Sequence, residues 1–474
     1  MRKGIDEANK SLAESGILWV QTLFADLLGN TRAVSIPAEK YLSGSIWKDG
    51  TNFDGSSTAF RKSEKSDMTA IPDPTTFRII EIREQRTAFV FCDLHIPQTR
   101  EIFDGGPRTV ARRAMDRARD EGYISWLQPE IEFYVFNSIQ EAIMENDVWS
   151  RDARIGVGSS FVVPNIIQDY TKSKYLAKPK QHYFSPPPFD RFAQFREELA
   201  TMLKSIDIPV KYHHHELGTH QMEIELGNIE GPVTSGDAVL IHKFISRLLG
   251  AEYDFLPSYM PKPIFADAGN GLHAHMFLAD GTTGENTFHD ANDPLGLSQT
   301  ARYFIGGLLE HAQGMTAVTD PTINSYKRLV PEFEAPVFIT WSPMNRTALV
   351  RVAAKAIPEN VDVEYRSPDP SCNPYLAFAL LLQAGLEGIK KKIEPGDPLN
   401  SDPSKMSKAE CKQLGIKQLP ATLTKALEAM EADDFVKQAL GSEAYDLFLE
   451  LKWKEVKENQ IFVSAWEIYK YFEV

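Results

Sequence analysis

The 474-residue chain is short of cysteine: Cys92, Cys372 and Cys411 stand far apart with no CxxC spacing. That excludes a disulfide framework and a cysteine zinc site, and it fits a reducing compartment. No uninterrupted apolar run approaches the ~18 residues of a membrane span. The opening MRKGIDEANK carries no apolar h-region, so a cytoplasmic protein without a membrane partner is expected. Positive charge is also in deficit, with 51 Lys and Arg against 65 Asp and Glu and a net charge of -14. A general nucleic-acid binder is thereby excluded, though a local basic pocket for an anion is not. Neither a GxxxxGKS/T loop nor a kinase HRD…DFG set occurs. There is no internal repeat, low-complexity tract or long linker.

What remains is ordinary for a soluble globular chain, 43% hydrophobic and 24% charged, and long enough for two domains. Residues 5–15 suit a helix stopped by Gly16, and 17–24 and 31–36 suit two strands around Gly29. Asn52-Phe53-Asp54-Gly55-Ser56-Ser57 reads as a tight loop presenting Asp54, and equally as a plain Asx-turn. Residues 77–83 and 87–94 form a second hairpin. Asp104-Gly105-Gly106-Pro107 then opens a helix to Glu121, which sets the expected boundary between residues 1–104 and 105–474. Further helices are expected at 190–203, 235–253, 298–317, 374–393 and over most of 421–470.

The stretch HHHELGTHQMEIE, residues 213–225, organises the rest. As a strand, Glu223-Ile224-Glu225 places two carboxylates on one face, and Glu216 is far enough away for the chain to bend back. Taken alone it fits an acidic strand edge with solvated histidines as well. Glu130-Ile131-Glu132 repeats the pattern among Phe133, Val135 and Phe136, where unpaired carboxylates are costly. Asp267-Ala268-Gly269-Asn270-Gly271-Leu272-His273-Ala274-His275 adds glycines that permit close backbone approach and two histidines on one strand face. From Asn324 the sign changes: Lys327, Arg328, Arg346, Arg351 and Arg366 lie in loop or strand-like segments beside Glu364. Carboxylates with imidazole suit Mg²⁺ or Mn²⁺, and the guanidinium fork suits carboxylate and phosphate. This set points to ATP-dependent phosphoryl transfer onto a small carboxylate with divalent metal.

In the order and spacing of these motifs, the chain resembles glutamine synthetase of the prokaryotic class I type, archaeal forms in particular, from the Asp54 loop to Trp466-Glu467. The resemblance implies an α+β fold: an N-terminal β-grasp domain, then a catalytic domain with a curved antiparallel sheet and flanking helices. It implies a homo-oligomer, a double hexameric ring with the Asp54 loop offered to a neighbour. The small-molecule substrates implied are ATP, glutamate and ammonia. Carried over by position, Glu132, Glu216 and Glu223 bind one Mg²⁺ or Mn²⁺, and Glu130, His273 and Glu364 another. Asp54, with Ser57 and Tyr183, forms the ammonium site, and Glu334 is the acid of a closing flap. Arg328, Arg346 and Arg366 grip glutamate and the moving phosphate, Gly269 offers backbone to glutamate, and His275 and Arg351 serve the nucleotide.

Several positions depart from the family pattern. Ala268 stands for an asparagine, Phe277 for a serine, Glu332 for the flap glycine and His220 for a glycine. Glu359 and Asp362 stand where a Lys-x-x-Arg pair is usual, and acids there are expected to repel a triphosphate. No tyrosine occurs from 376 to 444, so the adenylylation of some bacterial relatives is not expected. The expected activity is a glutamate–ammonia ligase. The alternatives are a glutamate–amine or other carboxylate–amine ligase, and a weakly catalytic or regulatory paralogue.

Overall fold

The structure, a computed structural model, describes residues 2–61, 66–139, 182–331, 335–353 and 355–474. Its first part is a helix, Arg2–Ser15, and six strands: β1 Trp19–Ala25, β2 Thr31–Pro37, β3 Thr51–Asp54, β4 Asp67–Pro72, β5 Arg78–Ile82 and β6 Gln85–His95. They form one sheet in the order β2-β1-β6-β4-β3, with β5 on β6. The β1–β6 pairing is parallel and the rest antiparallel. Two short helices, Ala38–Leu42 and Ser45–Asp49, add to the single leading helix that was expected, and they bury their own Tyr41 and Trp47. β3 takes in Asn52, Phe53 and Asp54, so the loop expected from Asn52 begins three residues later, at Gly55.

The second sheet is larger. It comprises β7 Tyr123–Phe136, β8 Val210–His215, β9 Gln221–Leu226, β10 Ile229–Glu230, β11 Leu256–Ser258, β12 Leu272–Asp280, β13 Phe338–Ser342, β14 Ala348–Arg351, β15 Val363–Tyr365 and β16 Lys417–Gln418. The order is β16-β13-β14-β15-β12-β7-β9-β8, with β10 and β11 also on β7. The pairing is antiparallel except for β13 with β14, so the sheet is mixed rather than purely antiparallel. Alternation along the strands decides the faces. Ile131, Phe133 and Val135 of β7 and Leu272, Ala274 and Met276 of β12 are buried in the core. The intervening Glu130, Glu132, His273 and His275 share the other face.

Helices Pro107–Asp120, Gly231–Glu252 and Pro374–Lys391 pack together behind the large sheet. The last starts as the sequence predicts: the Asn373 side chain caps Tyr375 N–H, and Pro374 takes the first turn. The expected helix 298–317 is broken at His311 into Gln299–Glu310 and Ala312–Thr319. Arg328 ends a short helix, Ser325–Arg328, rather than lying in a loop or strand.

Two sets of buried polar contacts join the first part to the second. Asn373 Nδ2 donates to the Asp26 and Leu27 carbonyls at 3.0 and 3.2 Å. A Cβ on Gly29 would stand 2.8 Å from the Asn373 Cα, so the β1–β2 turn closes on that backbone only as glycine. Arg108, 6% exposed, donates to Asp237 at 2.9 and 2.8 Å, to Asp93 at 2.8 Å and to Asp73 at 3.1 Å. One guanidinium therefore neutralises carboxylates from both sheets' surroundings. Arg108→Ala leaves them buried without their cation, an expected loss of about 3–5 kcal/mol in urea denaturation.

Candidate active site

Register brings the candidate side chains together. Across β7 and β9, Glu130 pairs with Glu225 and Glu132 with Glu223. Across β12 and β7, His273 lies opposite Glu130, and β15 and β14 continue the row with Glu364 opposite both His275 and Arg351. On the far side, β8 sets His214 opposite Glu223. Glu216 lies just beyond β8, where its backbone N–H donates to the Gln221 carbonyl at 2.9 Å. Five strands thus deliver five acids and three histidines to one patch, and the loop after β8 adds Glu216.

The patch has two wings of different charge balance. In the first, Glu130, His273 and Glu364 each put a potential ligand atom within 4.8 Å of the others. His273 Nδ1 is 2.9 Å from Glu130 Oε2, and His275 Nε2 is 2.8 Å from Glu130 Oε1. Burial works against the Glu130 anion, but His275 and His273 hold its carboxyl well below the usual glutamate range. Burial likewise opposes the Glu364 anion, and Arg366 beside it prevails and lowers it. Arg366 bonds Glu364 Oε1, and Arg351 reaches Oε2 at 3.1 Å.

The second wing has little compensation. His214, Glu216 and Glu223 again fall within 4.8 Å of one another. Glu132 stands beside them, its Oε2 accepting from Gly271 N–H at 2.7 Å and from Gln221 Nε2 at 3.0 Å. Burial first, and then repulsion from Glu223, raises Glu216 to about 8. Burial raises Glu132 to about 7 against the pull of His273, with Glu216 adding repulsion. Burial with Glu130 and Glu132 pushes Glu223 well above its usual value. Buried carboxylates that repel one another, with oxygens converging, form a donor set fitted to a hard divalent ion.

The backbone here admits no bulk. A Cβ at Gly271 would lie 2.5 Å from His273 Nε2, and one at Gly269 would lie 2.7 Å from Arg328 Cγ. Arg328 is buried, its guanidinium held by the Ser367 and Arg366 carbonyls and facing Asp320 at 3.5 Å. Arg346 is exposed and bonds the hydroxyl of Tyr183, whose ring meets His214 edge-on at 5.5 Å. Asp54 sits on the other sheet, exposed, with Ser56 and Ser57 hydroxyls each donating to it at 2.7 Å. Those two bonds lower its carboxyl to about 2. Glu332 and Glu334 lie outside the described residues.

Some members of the patch were passed over in sequence. Gln221 holds Glu132, the Gly269 carbonyl and Asn270 together. His214 joins the second wing, and Glu225 faces Glu130; both lie in the 213–225 stretch, and the alternation had already put Glu225 beside Glu223. Asp362 is 1% exposed, bound to His275 at 3.1 Å and to Lys355 at 2.6 Å. It is a neutralised partner of His275, not a free acid turned toward a phosphate. Phe277 stacks on Trp126 with centroids 6.2 Å apart, extending the row past His275 as a flat apolar surface. A separate cavity of about 1810 Å³, lined by Lys243, Arg247, Tyr259, Lys262 and Lys327 among others, is bordered by none of the carboxylates, histidines or arginines of the patch.

A small mixed sheet ahead of a large curled one, with acids, histidines and arginines converging on the latter, is the arrangement of an amide-forming ligase. Residues 16–97 match the family model for the glutamine synthetase beta-Grasp domain, and residues 104–471 match that for its catalytic domain. Glutamine synthetase of Archaeoglobus fulgidus is 41% identical over 99% of this chain and 98% of its own. That of Halobacterium salinarum is 37% identical over 97% of this chain and 94% of its own. A solved structure titled "GmaS/ADP complex-Conformation 1" superposes with a TM-score of 0.82 at 26% identity, covering 98% of this chain and 99% of that one. The chain belongs to the glutamine synthetase family of glutamate–ammonia ligases. Among the described residues no helix is long and apolar enough to cross a membrane.

The raised carboxyls set a pH dependence. An acid whose folded value exceeds its ordinary one favours the folded state while protonated. In chelator, stability should therefore fall as pH rises from about 4.5 toward 8 through Glu132 and Glu216. A divalent ion binds only the ionised carboxyls, so its affinity should drop about tenfold per pH unit below 8, and more steeply below 7. Isothermal titration with Mn²⁺ between pH 6 and 8.5 measures this, and a pH-independent affinity would contradict it.

Proposed function

We propose that this chain makes L-glutamine from L-glutamate, ammonia and ATP by way of a γ-glutamyl phosphate. The cross-strand meeting of Glu130, Glu132, Glu216, Glu223, His273 and Glu364 beside the arginines carries this reading. Glu132, Glu216 and Glu223 would hold one Mg²⁺ or Mn²⁺, and Glu130, His273 and Glu364 another. Bound there, the ions supply positive charge that stabilises a phosphoryl group in transfer. The division into residues 1–104 and 105–474, the cytoplasmic location and a double hexameric ring belong to the same reading.

A γ-carboxylate oxygen of glutamate attacks the γ-phosphorus of ATP, and the bond to the ADP oxygen breaks. Arg366, Arg346 and Arg328 grip glutamate and the moving phosphate, with Gly269 offering backbone, and His275 and Arg351 face the nucleotide. Arg366 and Arg351 stand on Glu364, and two guanidinium groups held on an acid are ready to turn to a better anion. Ammonia nitrogen then attacks the acyl carbon, and the carbon–oxygen bond to phosphate breaks. With its carboxyl at about 2, Asp54 is an anion suited to attracting ammonium. Accepting a proton from it requires the Ser56 and Ser57 bonds to loosen, because they hold the charged form. Tyr183 and Ser57 complete the ammonium pocket, and Glu334 takes the second proton beneath a closed flap.

A second reading, a ligase for another acid or a larger amine, is favoured by Ala268, which carries a methyl group where the family pattern has an asparagine amide. The weakly catalytic reading loses its motive at Asp362, whose charge is neutralised by Lys355 and His275. Phosphate release with Mg²⁺-ATP across a panel of acids and amines discriminates among them. Glutamate with ammonium is expected to give the highest rate. Preference for methylamine or for another acid would establish the second reading, and no release with any pair would overturn ligase activity. Asp54→Asn is expected to lower kcat/KM for ammonium more than ~10-fold while leaving glutamate-dependent binding of ADP unchanged.

A further inference from the structure

Gln221 lies on the ion-facing side of the large sheet, opposite Tyr134 and two residues before Glu223, yet it is uncharged and belongs to neither ligand set. It is 1% exposed, and each of its polar atoms is engaged. Its carbonyl accepts the Glu216 N–H at 2.9 Å, and its own N–H donates to the Gly218 carbonyl at 3.1 Å. The side-chain Oε1 accepts the Gly218 N–H at 3.0 Å, which fixes the orientation of the amide. Nε2 is thereby turned toward Glu132 and the 268–271 loop.

There Nε2 meets more acceptors than it has hydrogens. Glu132 Oε2 lies at 3.0 Å, the Gly269 carbonyl at 2.9 Å and Asn270 Oδ1 at 3.0 Å. An amide NH₂ carries two hydrogens, so one of these three acceptors goes without at any moment. When ionised, Glu132 is the strongest claimant, because hydrogen bonds to a charged acceptor outweigh those to a neutral one. The other two acceptors both belong to the loop. Asn270 is buried and braced from behind, its Nδ2 donating to the Met260 carbonyl at 2.8 Å. While Glu132 keeps one hydrogen, Gln221 can secure the loop at one point only. A divalent ion on Glu132 draws charge from the carboxylate and weakens it as an acceptor. Both hydrogens then settle on Gly269 and Asn270, and the loop is held at two points.

We propose that Gln221 is a positioning residue whose side-chain amide couples a divalent ion held at Glu132 to the order of the 268–271 loop, and through Gly269 to the affinity for the amino-acid substrate. The coupling of ion to loop stands on these contacts, whereas its extension to glutamate rests on the ligase reading. Linkage makes that extension reciprocal: the ion tightens glutamate and glutamate tightens the ion by the same factor.

Two measurements on the full chain test this. In the first, Mn²⁺ binding is followed by electron paramagnetic resonance of the free ion, with and without saturating L-glutamate. Glutamate should tighten one ion ~5–20-fold in the wild type. Gln221→Met keeps the length of the side chain without its amide and should bring that factor below ~2-fold at an unchanged number of bound ions. Asn270→Ala removes one competing acceptor, so the two hydrogens serve Glu132 and Gly269 together, and the factor should fall likewise. A role in stability alone would lower Tm and leave the factor as it is. In the second, hydrogen exchange read by mass spectrometry follows the peptide containing residues 268–271. Mn²⁺ alone should slow its exchange in the wild type and not in Gln221→Met. If circular dichroism shows Gln221→Met unfolded, Asn270→Ala decides. Equal factors in wild type and variant overturn the proposal, and so does exchange in the wild type that is indifferent to Mn²⁺. Exchange slowed by Mn²⁺ in a wild type that does not bind glutamate upholds the coupling of ion to loop and overturns the ligase reading.

Discussion

Like charges face each other across the middle of the large sheet. Glu130 is paired with Glu225 and Glu132 with Glu223, a cross-strand arrangement that destabilises a sheet when nothing intervenes. The surrounding structure answers this repulsion unevenly. On one side His273, His275, Arg351 and Arg366 compensate Glu130 and Glu364, and those carboxyls are held low. On the other, His214, the pull of His273 on Glu132 and hydrogen bonds from Gln221, Gly271 and Leu217 do not offset burial and mutual repulsion, and the Glu132, Glu216 and Glu223 carboxyls ride high. The poorly compensated side is where an added cation relieves the most strain, and the compensated side keeps guanidinium groups within reach of an incoming anion. Binding capacity and instability are here the same property of one patch.

Much of this was readable from the residues because it depends on period-two alternation, which survives any error in element ends. Glu130 and Glu132, or His273 and His275, share a face wherever their strands begin. The glycines at 269 and 271 were visible as points of close approach, and the side chains they admit are Arg328 and His273. Contacts across long separations were not legible. Nothing in sequence pairs Asp362 with Lys355 and His275, and so an acid that looked hostile to a phosphate proved to be spent on a histidine. Glu225 is a different case: the alternation had exposed it, but position-by-position likeness to the family gave it no role.

The two parts of the chain meet through buried charge and backbone instead of a broad apolar seam alone. Arg108 draws together Asp73, Asp93 and Asp237, and Asn373 both caps its own helix and binds the β1–β2 turn. Such contacts have strict geometry, so the small sheet is set against the large one in a defined orientation. Asp54, at the end of β3, inherits that orientation even though its own surroundings are exposed.

Glu130 divides its two oxygens between His273 and His275, so the two histidines share one carboxylate. A change that strengthens one claim on this carboxylate weakens the other. Substitutions at 225 and 364, on opposite flanks, should consequently be non-additive, each altering the effect of the other through the residue between them. In evolutionary terms the patch changes as a unit: a variant at one flank constrains which replacements the opposite flank can accept.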